Sequence, residues 1–353
     1  MREKSDMVKG PPVLRGPISM MNLKINTLSS GGLILSYQCS NQCRHCLYAC
    51  APDLSEWISE TDVDLILTEI SRYNQYLTGL HFAGGEPFIN PDLLEYAIRK
   101  AVQLRLPIDY VETNGFWCRE PVKTQKILER LKQAGLRRIL VSCSPFHQEF
   151  IPYESVNNAV GTGRKIFGSS GVVIYTPYFF QQFANIDPKY PLPLEQYIEA
   201  IGAEEASAMF ASEYGLIPNG RAATHLGYLY AHRPAAAYFG ETCERELSSP
   251  YHIHIDLYGN YIAGLCAGLS LGDAHDLGPL YQGIDLSQKP VLRCLVEGGV
   301  ESLFRWAVRE TDYVADLKGF IAKCHLCLDI RRHLMKTGRL FHELAPKEFY
   351  EYL

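Results

Sequence analysis

The 353-residue chain has no run of 18 or more apolar residues, so a transmembrane helix, which needs about 20, is not expected. Its opening, MREKSDMVKGPPVLRGP, has no apolar stretch of the kind that forms the core of a secretory signal. Nor is there a long basic run. The 34 Lys and Arg stand against 39 Asp and Glu, for a net charge of −5, and nothing implies a nucleic-acid partner. These absences lead to the expectation of a cytoplasmic protein that binds neither membrane nor nucleic acid. In that compartment eleven cysteines do not suggest a disulfide framework. They point to metal or redox use.

At roughly 150 residues per domain the length suggests two domains. Through the first two thirds, short apolar strands alternate with amphipathic helix-length segments. GLILSYQ, LTGLHFAGG, PIDYVETNG, RRILVSCS, GVVIYTPYF and SAMFASEYGLIP read as six strands. TDVDLILTEISRYN, NPDLLEYAIRKAVQL, PVKTQKILERLKQAG and SVNNAVGTGRKIFG read as the helices between them. In the second helix Asn90 is an N-cap with Pro91 behind it, and Leu93, Leu94, Ala97, Ile98 and Ala101 form one apolar face. Gly135 stops the third. Alternating βα units imply parallel strands with helices outside. Six strands are too few for a closed eight-stranded barrel, so the expected fold is an open (β/α)6 partial TIM-like barrel.

Such folds place their chemistry at the C-terminal ends of strands. The unusual residues fall there. Cys39, Cys43 and Cys46 follow the first strand, and Gly84, Gly85, Glu86 and Pro87 the second. ETNG, Glu112 to Gly115, ends the third strand, SCSPFH with Ser142 and Ser144 ends the fourth, and PNGR, closing on Arg221, follows the sixth. Cysteines spaced C-x3-C-x2-C can wrap one corner of an iron–sulfur cluster. Three thiolates on a four-iron cube leave one iron without a protein ligand, an open position of the kind catalytic metals keep. A structural zinc half-site is the plain alternative for the loop, and a tight turn for GGEP.

CSNQCRHC resembles the cluster motif of the radical S-adenosylmethionine (radical SAM) superfamily, and GGEP resembles that family's methionine-binding motif. The resemblance covers roughly residues 31–235. It implies a [4Fe-4S] cluster on Cys39, Cys43 and Cys46 whose open iron chelates S-adenosyl-L-methionine (SAM). It further implies one-electron cleavage of SAM to a 5′-deoxyadenosyl radical that takes hydrogen from a substrate, with a reductant such as flavodoxin or ferredoxin. By the same resemblance Gly84 and Gly85 let backbone approach the methionine ammonium, and Glu86 supports its charge. Asn114 with Ser142 or Ser144 matches the polar residues that hold ribose and carboxylate, although many relatives carry an aspartate near Ser144. Arg221 matches a partner for the methionine carboxylate. His45 stands before the third cysteine, where the family usually has an aromatic residue, and its imidazole can pack on adenine.

From about residue 240 the βα alternation ends. YHIHIDLYGNYIAGLC alternates around Tyr258-Gly259-Asn260 and reads as a β-hairpin, with Cys243 before it and Cys266 at its end. Cys324 and Cys327 form a later C-x2-C pair that leads into a helix. Four such thiols close a site. The arrangement resembles the twitch domain, a shortened SPASM domain, which implies one auxiliary [4Fe-4S] cluster on Cys243, Cys266, Cys324 and Cys327. No cysteine follows Cys327, so a second auxiliary cluster is not expected. Structural zinc is the competing occupant. The expected division is an N-terminal extension at 1–30, the partial barrel at 31–235 and the twitch/SPASM-like domain at 236–353.

Cys50, Cys118, Cys143 and Cys294 read as small buried apolar residues, with Cys294 a substitute ligand in reserve. His252, His254 and Asp256 share one strand face, which suits a metal or acid/base site but reads more plainly as a solvated side of the hairpin. His147 and Glu149 either face substrate or belong to a loop packed by Phe146, Phe150 and Ile151, and YTPYFFQQF lines a substrate pocket or the core. Two function classes remain. One is a radical SAM enzyme that modifies a peptide as a maturase, or oxidises a small molecule such as a sugar alcohol and sends an electron to the auxiliary cluster. Peptide-modifying relatives often carry an N-terminal leader-binding domain, for which residues 1–30 are too few. The other class is a non-catalytic iron–sulfur or zinc-binding electron carrier or scaffold.

Overall fold

The computed structural model describes residues 23–186 and 190–353. Residues 1–22, most of the expected extension, lie outside them. Five strands run parallel: β1 (Ser30–Ile34), β2 (Gly79–Ala83), β3 (Ile108–Thr113), β4 (Ile139–Ser142) and β5 (Val172–Tyr175). The helices Glu60–Arg72, Pro91–Gln103, Pro121–Ala134 and Tyr153–Phe167 connect them, each packed against the next. Local chemistry sets the helix ends. Ser59 and Asn90 each accept a hydrogen bond from an N–H of the first turn. Gly135, at φ +122°, closes the third helix in a conformation that L side chains rarely adopt.

The sixth strand expected at SAMFASEYGLIP is not formed. Ala203–Met209 is an α-helix and continues as one π-type turn over Phe210–Tyr214. Ala206, Met209 and Phe210 are buried, a spacing of three and four that suits a helix and not a strand. AEEASA adds strong helix formers. The next strand in the sheet comes from the expected hairpin. β6 (Ile253–Ile255) lies parallel to β1, with Gly32 opposite His254, and β7 (Tyr261–Ile262) returns antiparallel after Gly259 at φ +81°. The sheet order is β5-β4-β3-β2-β1-β6-β7, so the hairpin is continuous with the sheet that carries the cysteine loop.

This pairing corrects the reading of His254 and Asp256, while His252 is exposed as expected. His254 is 3% and Asp256 0% exposed, because β6 turns that face into the sheet's concave side. Asp256 accepts from the Tyr37 hydroxyl at 2.9 Å and from the backbone N–H groups of Tyr258 and Asn260, which holds the hairpin turn.

Alternation along the strands divides two environments. Val111, Ile139 and Val141 are fully buried, while Tyr110, Glu112, Leu140 and Ser142 face a cavity. Behind β6 and β7 the helices Pro290–Thr311 and Lys323–Lys336 pack on one another. The C-terminal Lys347–Glu351 helix brings Phe349 into a small apolar cluster with Ala49, Ala223, Ala267 and Leu328. That cluster ties the first cysteine loop to the C-terminal third. Among the described residues no helix is long and apolar enough to cross a membrane.

Candidate functional site

The loop after β1 is held at its base by the cysteine backbone itself. Cys39 N–H donates to Ala51 O at 3.1 Å, and Ala51 N–H to Tyr37 O at 3.2 Å. Cys39, Cys43 and Cys46 line one cavity of about 310 Å³ at the C-terminal ends of the strands. Their protonation is uneven. Burial pushes Cys39 up to about 12 and Cys43 well above the usual thiol range. Cys46 is lowered to about 5 by a hydrogen bond from the Cys50 thiol, against the burial that opposes it, with Arg221 and the backbone of Cys50 and Tyr48 assisting. Cys50 lines the same cavity, which residue type and spacing alone did not show. Cys118 and Cys143 are fully buried and Cys294 is 5% exposed, all away from the cavity.

Gly84 and Gly85 line the cavity where the β2 end crosses the cysteine loop. Gly85 N–H donates to Ser36 O at 2.8 Å and Glu86 N–H to Gln38 O at 2.9 Å. A Cβ on Gly85 would stand 1.8 Å from Gln38 O, and one on Gly84 2.5 Å from Ser36 O. Glu86 does not line the cavity. It is 1% exposed, and its carboxylate accepts from Thr113 Oγ1 at 2.9 Å, Asn114 N–H at 2.7 Å and Phe88 N–H at 3.2 Å. Burial pushes its pKa up to about 7 despite these bonds. Its geometry is that of a brace between the β2 and β3 ends.

Asn114 does line the cavity. Its Nδ2 donates to Ser40 Oγ at 3.0 Å and lies 3.6 Å from Cys39 Sγ. Ser142 lines it as well, whereas Ser144 is fully buried and meets His147 Nδ1 at 2.7 Å. His45 lines the cavity with its ring stacked on Phe146 at 4.7 Å. Burial holds it neutral, and its Nδ1 has no partner among the described residues. Arg221 borders the cavity, but its guanidinium holds the loop. Nε donates to Cys43 O at 3.0 Å, one Nη to Cys50 O at 2.5 Å and the other to Tyr352 O at 3.4 Å. Its backbone N–H donates to Cys46 O at 3.0 Å. The expected carboxylate partner is thus first of all a bolt through the cysteine loop.

Cys243, Cys266, Cys324 and Cys327 line a second, smaller cavity with Asn219, Lys323 and Arg331. Burial raises Cys243 to about 12 and Cys324 to about 11, and Lys323 and Arg331 supply positive charge beside them. The two cavities share a wall. Leu265 faces the first and Cys266 the second, as do Arg221 and Asn219 respectively. Asn219 Nδ2 donates to Leu265 O at 2.8 Å across the wall. Among the described residues no three His, Cys, Asp or Glu side chains converge on a point fit for a single metal ion.

Sequence reading did not single out Tyr48, Tyr110 or Tyr214, nor Glu112 as a site residue. All four line the first cavity. For Tyr110 and Glu112 the period-two alternation leading to ETNG carried the signal.

No curated protein matches the sequence. Among solved structures, BtrN in complex with AdoMet and 2-DOIA is similar at 11% identity and a TM-score of 0.45, over 78% of this chain and 90% of that one. Native anSMEcpe with bound AdoMet and a Cp18Cys peptide has 13% identity and a TM-score of 0.39, over 87% and 97%. Streptococcus suis SuiB bound to its precursor peptide SuiA has 13% identity and a TM-score of 0.34, over 84% and 76%. The family model of the radical SAM superfamily matches residues 33–166. That stretch, from β1 through the helix after β4, contains the cysteine loop and GGEP, and it is the part of the chain that is similar to that superfamily.

Proposed function

We propose that the chain is a radical SAM enzyme whose first cavity takes a [4Fe-4S] cluster and SAM. The observation that carries this reading is the meeting of Cys39, Cys43 and Cys46 with Gly84, Gly85 and Asn114 around one cavity at the strand ends. The donor set fits. A buried thiol with a pKa near 12 ionises at neutral pH only when cationic charge is placed against it. Such a cluster, when bound, supplies one electron to cleave the SAM sulfonium and release a 5′-deoxyadenosyl radical that abstracts hydrogen from substrate.

The protein's own residues prepare the site. Arg221 holds three carbonyl groups of the cysteine loop, and Asn114 steadies Cys39. Gly84 and Gly85 keep the loop crossing free of side chain, so a ligand can meet backbone there. Glu86 fixes the β3 end from behind. Burial keeps His45 and His147 neutral, and their rings meet edge to face at 4.8 Å. Two Arg221 N–H groups remain free to meet an anionic end of SAM.

We further propose that Cys243, Cys266, Cys324 and Cys327 hold an auxiliary [4Fe-4S] cluster, and that residues 236–353 act as the auxiliary-cluster part of the molecule. The shared wall supports this reading, because it sets a second thiol site directly behind the first. Iron, sulfide and zinc on anaerobically purified protein test it. The wild type should hold about eight irons, and the triple Cys→Ala variant at 39, 43 and 46 about four, with matching sulfide. Zinc without sulfide in that variant would make the second site structural.

A further inference from the structure

The concave face of the sheet carries a polar row that neither cysteine site uses. Across β2, β1 and β6, His81, Gly32 and His254 stand side by side. Gly32 is what lets the two rings meet, with His81 Nε2 and His254 Nε2 3.1 Å apart. A Cβ at Gly32 would lie 2.3 Å from His81 Nε2 and 2.8 Å from His254 Cδ2. His81 Nε2 also lies 3.6 Å from Glu112 Oε1 on β3. His81 is thus the hinge of a three-member chain whose outer members, Glu112 and His254, both line the first cavity.

Burying such groups costs free energy unless their bonding is complete, and here it is not. His254 Nδ1 and the Tyr48 hydroxyl are buried and find no hydrogen-bond partner among the described residues. The Tyr48 ring is 5.1 Å from His254, and Tyr48 lines the cavity beside it. Among the described residues no lysine or arginine pairs with the Glu112 carboxylate.

The chemistry of this row limits what can meet it. Burial holds His81 down to about 3 and His254 well below the usual range, so both rings are neutral. Glu112 has a third of its side chain open to the cavity, yet it sits so deep that burial raises it to about 7. One proton lies between the two imidazoles. If His254 donates it, His254 Nδ1 is a bare acceptor. If His81 donates it, His254 carries its proton on Nδ1 and becomes a donor. A hydroxyl, which both donates and accepts, suits either state. An anionic group does not. Among the described residues lining the cavity there is no lysine, and the one arginine, Arg221, holds the cysteine loop and, in the proposed reading, leaves its two remaining N–H groups to the anionic end of SAM.

We infer that Glu112, His254 and Tyr48, with His81 as a positioning residue, form the substrate end of this cavity and take a hydroxylated group, neutral or amine-bearing, without phosphate or carboxylate. The inference rests on the radical SAM reading of the same cavity and names its substrate class.

The test is calorimetric titration of anaerobic, cluster-loaded protein. SAM is titrated first, then myo-inositol, glucosamine or glucose 6-phosphate is added to the SAM complex, and histidine ring ¹⁵N shifts are recorded in parallel. Myo-inositol and glucosamine should bind and shift the His254 ring nitrogens, and glucose 6-phosphate should not bind. His254→Gln and His254→Ala should weaken both binding probes about tenfold, as the loss of one or two hydrogen bonds implies. Glu112→Gln should weaken glucosamine more than myo-inositol. Gly32→Ala, which touches nothing in the cavity directly, should weaken both by parting the rings. Wild type that fails to bind SAM overturns the proposed function itself. Wild type that binds SAM but neither hydroxylated probe, or that binds the phosphate equally well, overturns this inference alone. So does unchanged affinity in the His254→Gln variant.

Discussion

Replacing Arg221 tests whether one side chain holds the cysteine loop. Its guanidinium is 1% exposed and donates to Cys43 O at 3.0 Å and Cys50 O at 2.5 Å, with a longer bond to Tyr352 O. Hydrogen bonds from a charged donor contribute about 1.5–3 kcal/mol each, and a buried carbonyl left unpaired costs a similar amount. Arg221→Met, which keeps the length and the apolar stem, should therefore cost about 3–6 kcal/mol, a large part of the roughly 5–15 kcal/mol a domain has. Arg221→Lys keeps the charge but concentrates its donors on one atom, so it reaches one carbonyl and recovers about half. Urea unfolding of the apo protein reads the loss as a lowered midpoint at constant m. Iron per chain after anaerobic reconstitution reads whether the loop still presents its thiols. A Met variant within about 0.5 kcal/mol of wild type, with full iron, would refute the role.

Three further outcomes follow from the same geometry. Gly85→Ala forces a methyl to 1.8 Å from Gln38 O, and since backbone cannot yield cheaply, iron at the first site and thermal stability should both fall, whereas Gly161→Ala, with open space around it, should leave both unchanged. Glu86, raised to about 7 by burial against roughly 4.3 in the unfolded chain, adds stability that is fully present below about pH 4.3 and lost as pH rises through 7. Glu86→Gln should flatten that part of the stability profile measured by urea midpoints between pH 4.5 and 8, and an unchanged slope would place the titration elsewhere. Cys324→Ala with Cys327→Ala should halve the wild-type iron and lower stability, because a site joining distant segments contributes to folding. SAM binding measured by calorimetry should survive that change.

Much of the barrel was legible because its signals are local. Capping residues, helical apolar spacing and glycine stops placed four helices, and the five strands between and beside them followed. The sixth strand failed because SAMFASEYGLIP satisfies two periods, and packing of Ala206, Met209 and Phe210 decided for the helix. The hairpin was readable from its turn, but its pairing with β1 was not, since a contact across more than two hundred residues leaves no local trace. The same non-local fact buried His254 and Asp256, which looked solvated. Site residues were legible as strand-end motifs, and most of them meet in one cavity. Their roles were less so: Glu86 and Arg221 are polar residues at a rim by sequence, and only their hydrogen-bond partners show that one braces and the other bolts. Cys50 looked like a small core residue, and only the fold brings its thiol to Cys46.

In the proposed function the first cavity cleaves SAM by one-electron chemistry. The most direct measurement is 5′-deoxyadenosine and methionine formed from SAM under dithionite by anaerobically reconstituted protein, beside the triple Cys→Ala variant at 39, 43 and 46. Both products are expected from the wild type and none above background from the variant. Equal 5′-deoxyadenosine from both, or none from a wild type that carries its full iron and sulfide, would contradict that function.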